Sequence, residues 1–202
     1  MSILDLVYPP RCIFCGARLG QKGLCICDEC QNSLPWAERT EGEVRAPWLY
    51  RGPVRKMLHR FKFGGASDCA RTLGAVMAGC VSARECDAVT WVPCSFLRRL
   101  KRRYDQSFLL AREVARALDK PLTPLLTRKH HRAAQYRQQD AGARAGNVKN
   151  AFRVRAGRRD AIPKRVLLAD DIYTTGATFR ECKRVLLEAG AERVILVAAA
   201  RK

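Results

Sequence analysis

The chain has 202 residues and carries 38 Lys and Arg against 19 Asp and Glu, a net charge of +19 at neutral pH. Hydrophobic residues make up 48% of it. That is enough for a packed core and excludes a wholly disordered polycation. The longest late apolar run, residues 194–200, is too short to span a bilayer.

Residues 1–10 are apolar, but they lack a basic start and include Asp5, so no secretory signal is expected there. Ten cysteines without an export signal point to a reducing cytoplasm. Cys12, Cys15, Cys27 and Cys30 form two C-x-x-C knuckles separated by eleven residues. Thiolates at that spacing can surround one Zn²⁺ tetrahedrally. A disulfide pair or an iron–sulfur site would use the same residue type, but ligand type and compartment favour zinc. Cys25 is left as a spare. The role is structural, because so small a segment cannot bury a core of its own. Leu34, Pro35 and Trp36 close this module, residues 1–38. A polar linker over residues 37–44 leads into a second unit, residues 45–202.

A helix is expected over residues 53–61, beginning at Pro53. Another over 68–82 places Cys69, Leu73, Val76, Met77 and Cys80 on one face. Residues 88–92 read as a strand that ends in Pro93, Cys94 and Ser95 and runs into a basic segment, 98–103. Ser95, Arg98 and Arg99 are candidate donors to a pyrophosphate at that strand terminus. A helix over 106–118 turns Phe108, Leu109, Val114 and Leu118 inward. Further basic clusters lie at 128–132 and 153–165. They are either a solvated surface or the footprint of a polyanion, nucleic acid or an acidic membrane surface.

Val166, Leu167, Leu168 and Ala169 read as a strand buried on both faces. Asp170 and Asp171 then stand at its carboxyl end, where open α/β sheets bind ligands. Thr174, Thr175, Gly176, Ala177 and Thr178 follow at a helix start, where partial positive charge and free N–H groups receive a phosphate. A strand–turn–helix whose acids and threonines merely cap the helix is the plainer alternative. The helix, 178–189, buries Phe179, Cys182, Val185, Leu186 and Ala189 and turns Arg180, Glu181, Lys183 and Arg184 outward. Gly190 stops it, and residues 194–200 form a second buried strand, completing a right-handed parallel unit.

Two acids followed by Thr-Thr-Gly-x-Thr resemble the phosphoribosyl pyrophosphate (PRPP) motif of type I phosphoribosyltransferases. The resemblance implies that Asp170 and Asp171 accept hydrogen bonds from the ribose hydroxyls and serve any catalysis, while residues 174–178 wrap the 5′-phosphate. A wider set of segments is similar, in order, to the ComF family, which includes ComFC and GntX. These are Tyr50-x-Gly-Pro-Val-Arg, Lys62-Phe63, Val92-Pro93, Arg103-Tyr-Asp-Gln106, Gln135, Arg144-x-x-Asn147-Val and Phe152. That family implies an α/β phosphoribosyltransferase-like domain, a mostly parallel sheet flanked by helices, with a small N-terminal zinc-ribbon-like module.

Asp105 stands where the family usually has Asn, His130, His131, Ala133 and Ala134 replace the usual approach to Gln135, and Cys25 is an addition. Tyr104, Asp105, Gln106 and Gln135 are therefore either site residues or packing anchors. The resemblance also implies Mg²⁺ on the pyrophosphate and ribose oxygens, with Lys62, Arg98, Arg99, Arg102 or Arg103 stabilising the departing charge. It implies a cytoplasmic PRPP-binding protein, alone or peripheral at the inner face of the membrane, acting in DNA uptake or the handling of imported DNA. Partners would be single-stranded DNA or the uptake machinery. An active phosphoribosyltransferase, amidophosphoribosyltransferase-like and acting on an unidentified nitrogen acceptor, is the alternative. A zinc-finger regulator fits less well, because the module holds few basic residues: Arg11, Arg18 and Lys22. With the sequence ending soon after its last strand, the zinc module or the loop over 128–150 is expected to cover the carboxyl edge of the sheet.

Overall fold

A computed structural model describes residues 10–20, 25–38, 43–63, 69–95, 104–129, 150–158 and 161–202. Arg98, Arg99, Arg102, Arg103, His130, His131, Ala133, Ala134, Gln135, Arg144 and Asn147 lie outside the described residues. Four parallel strands form the central sheet: β1 (Trp48–Leu49), β2 (Ala88–Trp91), β5 (Arg165–Tyr173) and β6 (Arg193–Arg201), in the order β1-β6-β5-β2. A separate antiparallel pair joins β3 (Leu126–Arg128) to β4 (Phe152–Val154). The helices are α1 (Asp28–Ser33), α2 (Gly52–Phe63), α3 (Cys69–Ala78), α4 (Gln106–Leu118) and α5 (Ala177–Glu188).

The central strands divide their side chains between two cores. Leu167, Ala169, Ile195, Val197 and Ala199 face the side built from α2, α3 and α4. Val166, Leu168, Val194, Leu196 and Ala198 face α5 and the β3–β4 pair. This is the two-residue alternation of a strand, with both faces covered. An apolar run on β5 and on β6 is what such a three-layer arrangement requires.

Several spans differ from the expectation, each for a local reason. β5 runs through both acids to Tyr173, because Asp170, Ile172 and Tyr173 keep their register with Ala198, Ala200 and Arg201. The helix expected over 68–82 ends at Ala78. Ser82 starts a short 3₁₀ turn, Ala83–Glu85, closed by a capping box in which the Glu85 carboxylate accepts from the Ser82 backbone N–H. α4 has the expected span, but its buried stripe is Ser107, Leu110, Ala111, Val114 and Ala115, while Phe108, Leu109 and Leu118 are half-buried at its edge. On α5 the expected outward Glu181 is buried. It accepts from the Asn150 backbone N–H at 2.7 Å and from Arg184 at 2.8 Å, which makes that burial tolerable.

β1 was not expected. Trp48 is fully buried and pairs with Ala200, so the edge strand lies at the carboxyl end of β6. The cysteine-rich segment rests on it. Phe14 meets Trp48 edge-on, with ring centroids 5.5 Å apart, and Ile13, Ile26 and Leu34 enter the same core as Leu58 and Phe61 of α2. Arg60 of α2 donates to the Ile13 carbonyl, and the Cys25 N–H donates to Thr72 of α3 at 3.1 Å. The zinc module therefore packs beside the carboxyl edge of the sheet, against α2 and α3. Among the described residues no helix is long and apolar enough to cross a membrane.

Candidate PRPP site and zinc centre

The first acid of the pair and the loop after it form one cleft. Asp170, Ile172, Thr174, Thr175, Gly176, Ala177, Thr178 and Phe179 line a cavity of about 40 Å³ at the end of β5. Gly176 is the N-cap of α5, with φ +72°, and no side chain caps the helix. The first-turn N–H groups of a helix have no partner within it, and here they open onto the loop, where an anionic group is favoured. A Cβ on Gly176 would stand 2.5 Å from the Tyr173 hydroxyl oxygen and 2.7 Å from Arg180 Nη1. The positive φ demands glycine there, while the neighbouring atoms are side-chain ends that could shift to admit a Cβ. Arg180, exposed as expected, donates to the Thr175 carbonyl at 2.8 Å. Tyr173 donates to the Glu43 carboxylate at 2.9 Å, tying the segment before β1 to this loop.

Other elements hold the carboxylates. Ser107, in the first turn of α4, donates to Asp170 Oδ1 at 2.6 Å, and the Asp171 N–H donates to the same oxygen at 2.8 Å. Lys62, near the end of α2, pairs with Asp171 at 2.8 Å, both side chains largely buried. Burial, and then the neighbouring Asp171 carboxylate, push Asp170 up to about 7 against the hydrogen bonds from Ser107 and Asp171 and the charge of Lys62. Two carboxylates side by side with one lysine form an acceptor pair of the kind that two vicinal hydroxyls would match.

Of the candidates read from the sequence, the structure brings together Asp170, Asp171, Lys62 and residues 174–178. Ser95 is half-buried just beyond β2, whose Trp91 is paired with Ala169 at the same end of the sheet. Tyr104, Asp105 and Gln106 are anchors. Tyr104 donates to the Phe61 carbonyl, and Asp105 caps α4 by accepting from Phe108 N–H at 3.2 Å while also reaching Cys94 N–H at 3.4 Å. Gln106 is buried. Ser107, next in line, is the contact that sequence reasoning missed. Its only signal was its place beside a segment already singled out.

Cys12, Cys15, Cys27 and Cys30 bring their sulfurs within 4.8 Å of one another, with Cys15 and Cys27 at 3.6 Å. A tetrahedral zinc with bonds of about 2.3 Å sets its sulfurs roughly 3.8 Å apart, so the four residues fit the ion. Burial pushes the Cys12 thiol up, but backbone N–H groups of Cys15, Cys27 and Phe14 outweigh it and bring it down to about 6. Burial and the three neighbouring sulfurs push Cys30 up, a crowding that a central cation relieves. Cys25 lies outside the quartet and packs against the main core, as a spare cysteine should.

The phosphoribosyl transferase domain family matches residues 105–202, and the double zinc ribbon domain family matches residues 3–41. Competence protein F of Haemophilus influenzae is 28% identical over 217 residues, which cover 91% of this chain and 93% of that protein. The chain is a homologue of competence protein F. Competence protein ComFC of Streptococcus pneumoniae is 28% identical to this ComF homologue over 167 residues, 82% of this chain and 72% of that one. The DNA utilization protein YhgH of Escherichia coli is 29% identical over 177 residues, 83% and 74% of the two chains. A solved allosteric regulatory enzyme of purine biosynthesis aligns with 67% of this chain and 26% of its own at 25% identity and a TM-score of 0.46. That score is too low to argue from. The fold of the ComF homologue rests on its strand order and its two family matches, and its four cysteines form a structural zinc site.

Proposed function

We propose that this ComF homologue binds PRPP at Asp170, Asp171 and residues 174–178 and acts in the cytoplasm in the uptake or handling of DNA. One observation carries the reading. Asp170 and an uncapped helix N-terminus that starts at a positive-φ glycine line the same cleft, with Asp171 directly beside Asp170. In this reading the loop N–H groups and threonines hold the 5′-phosphate, and Asp170 and Asp171 accept from the ribose hydroxyls. Lys62 leaves Asp171 to meet the pyrophosphate, joined by Ser95, Arg98 and Arg99. Mg²⁺ on the pyrophosphate oxygens would supply charge neutralisation. The DNA role draws on the names of the relatives and on the net charge of +19. The chain divides into a zinc module, residues 1–38, and a phosphoribosyltransferase-like domain, residues 45–202. In support, Arg45 exchanges backbone hydrogen bonds with Leu196 and Ala198 of β6 and so belongs to the sheet.

Calorimetric titration with PRPP and Mg²⁺ tests the site. Binding by the wild type and its loss in Asp170→Asn/Asp171→Asn is the expected result. No binding by a folded, zinc-loaded wild type overturns it.

A second reading, transfer of the phosphoribosyl group to a nitrogen acceptor, is favoured by one feature: burial and the neighbouring Asp171 push Asp170 up to about 7, where a general base is useful. In that reaction the bond from the anomeric carbon to oxygen breaks and its electron pair leaves with pyrophosphate. The acceptor lone pair forms the new carbon–nitrogen bond, and the nitrogen loses its proton. Release of pyrophosphate from PRPP only in the presence of an amine or base would establish it.

A further inference from the structure

We infer that the outer face of α2 is a contact surface for single-stranded nucleic acid. This rests on the reading that the protein handles DNA and assigns that role to named residues. α2 buries Val54, Met57, Leu58 and Phe61 on one side. The opposite side exposes Arg51, Arg55, Lys56, His59, Arg60 and Phe63. Arg51, Arg55 and Lys56 have no ion-pair partner among the described residues, and the helix contains no acid.

Other basic helices of this protein are built differently. On α4, Arg112 and Arg116 both pair with Glu113, and on α5, Arg184 pairs with Glu181 and Glu188. Those arginines are neutralised within their own helix, as a solvated face normally is. α2 alone among the helices discussed holds a ridge of uncompensated charge, about 18 Å long from Arg51 to Phe63 at the helical rise.

Two features choose the partner. Phe63 is 54% exposed, and its ring lies 4.8 Å from that of His59, an aromatic pair amid the basic side chains. Phosphates spaced along a strand suit the charges, and an unpaired base suits the rings. A duplex keeps its bases stacked inward and offers nothing to Phe63. A membrane surface asks an interfacial helix to insert its apolar face, and that face of α2 is committed to the core. The ridge also sits between the two functional centres. On one flank Arg60 donates to Ile13 of the zinc module, and on the other Lys62 pairs with Asp171.

The test uses the full zinc-loaded chain and a fluorescent oligo(dT), followed by anisotropy across a salt series. Substituting Arg51→Gln/Arg55→Gln/Lys56→Gln should flatten the plot of log affinity against log salt by about 2, at roughly 0.7 per phosphate contact on a single strand. Phe63→Ala should keep the slope but weaken binding about 5- to 150-fold, the scale of one lost stacking contact. The triple variant should melt at the wild-type temperature and bind PRPP as the wild type does. An unchanged salt slope in the triple variant, or an unchanged affinity in Phe63→Ala, overturns the proposal. So does binding to a duplex or to phosphatidylserine vesicles that matches or exceeds binding to oligo(dT). Ridge-dependent binding of oligo(dT) without PRPP binding would sink the PRPP site and leave this surface standing. PRPP binding without oligo(dT) binding would do the reverse.

Discussion

Gly176 has one firm reason to be glycine, a φ of +72°, for the atoms nearest an added Cβ are the side-chain ends of Tyr173 and Arg180. Gly176→Ala should therefore cost roughly 1–3 kcal/mol of stability, read by denaturant unfolding, and should displace the loop enough to abolish PRPP binding. Asp170 makes a prediction with a definite sign. Its carboxyl is raised to about 7 in the folded chain by burial and by Asp171. Such a group favours folding while protonated, so its contribution is complete below its unfolded value near 4 and is lost as pH rises through 7. Asp170→Asn should accordingly melt higher than the ligand-free wild type at pH 8, and the gap should close toward pH 5. A gap that widens toward acid would contradict the assignment. The acids and the phosphate loop were legible because their chemistry lies in one short segment. Ser107 was not legible, since it reaches Asp170 from 63 residues away, and neither was the engagement of Lys62 by Asp171.

α3 and α4 show how an element positions that site. A Cβ on Gly74 of α3 would stand 2.4 Å from Glu113 Cβ and 3.2 Å from the Leu110 carbonyl oxygen on α4. The obstruction includes backbone, so Gly74→Ala must push the helices apart. A loss of about 1–3 kcal/mol is expected, together with weaker PRPP binding, because α4 carries Ser107. A variant as stable as the wild type would show that the helices can separate freely. The long elements α2, α4, β5 and β6 could be read from hydrophobic periodicity and run length. β1 spans two residues and β3 three, too short for any alternation to register. The inward stripe of α4 was read only in part, for a different reason: Val114 is inward as expected, but Leu109 and Leu118 are only half-buried against the core. Its innermost positions carry Ser107 and Ala111 beside Leu110 and Val114, small side chains chosen for close approach to α3 and β5, so hydrophobicity alone favoured the larger Phe108 and Leu109.

At the scale of the whole molecule the two modules share one core and one helix. Ile13, Ile26 and Leu34 of the zinc module pack with Trp48 and with Leu58 and Phe61 of α2, whose Lys62 reaches the acid pair. Metal analysis should find one zinc per chain, absent in Cys27→Ser/Cys30→Ser. Chelation should lower the melting temperature of the entire protein, since a structural site contributes its binding free energy to folding. It should also weaken PRPP binding through the loosened α2. A chelated protein that melts and binds PRPP unchanged would make the module a passive appendage. The sequence announced the cysteine quartet and the PRPP-like segment separately. Their connection through α2 depends on long-range packing that no local pattern encodes. The most direct measurement is a crystal structure of the zinc-loaded protein with PRPP and Mg²⁺. The account predicts the 5′-phosphate on the N–H groups of residues 174–178, the ribose hydroxyls on Asp170 and Asp171, and Lys62 released from Asp171 toward the pyrophosphate. PRPP bound elsewhere, or a cleft unchanged at saturating ligand, would contradict it.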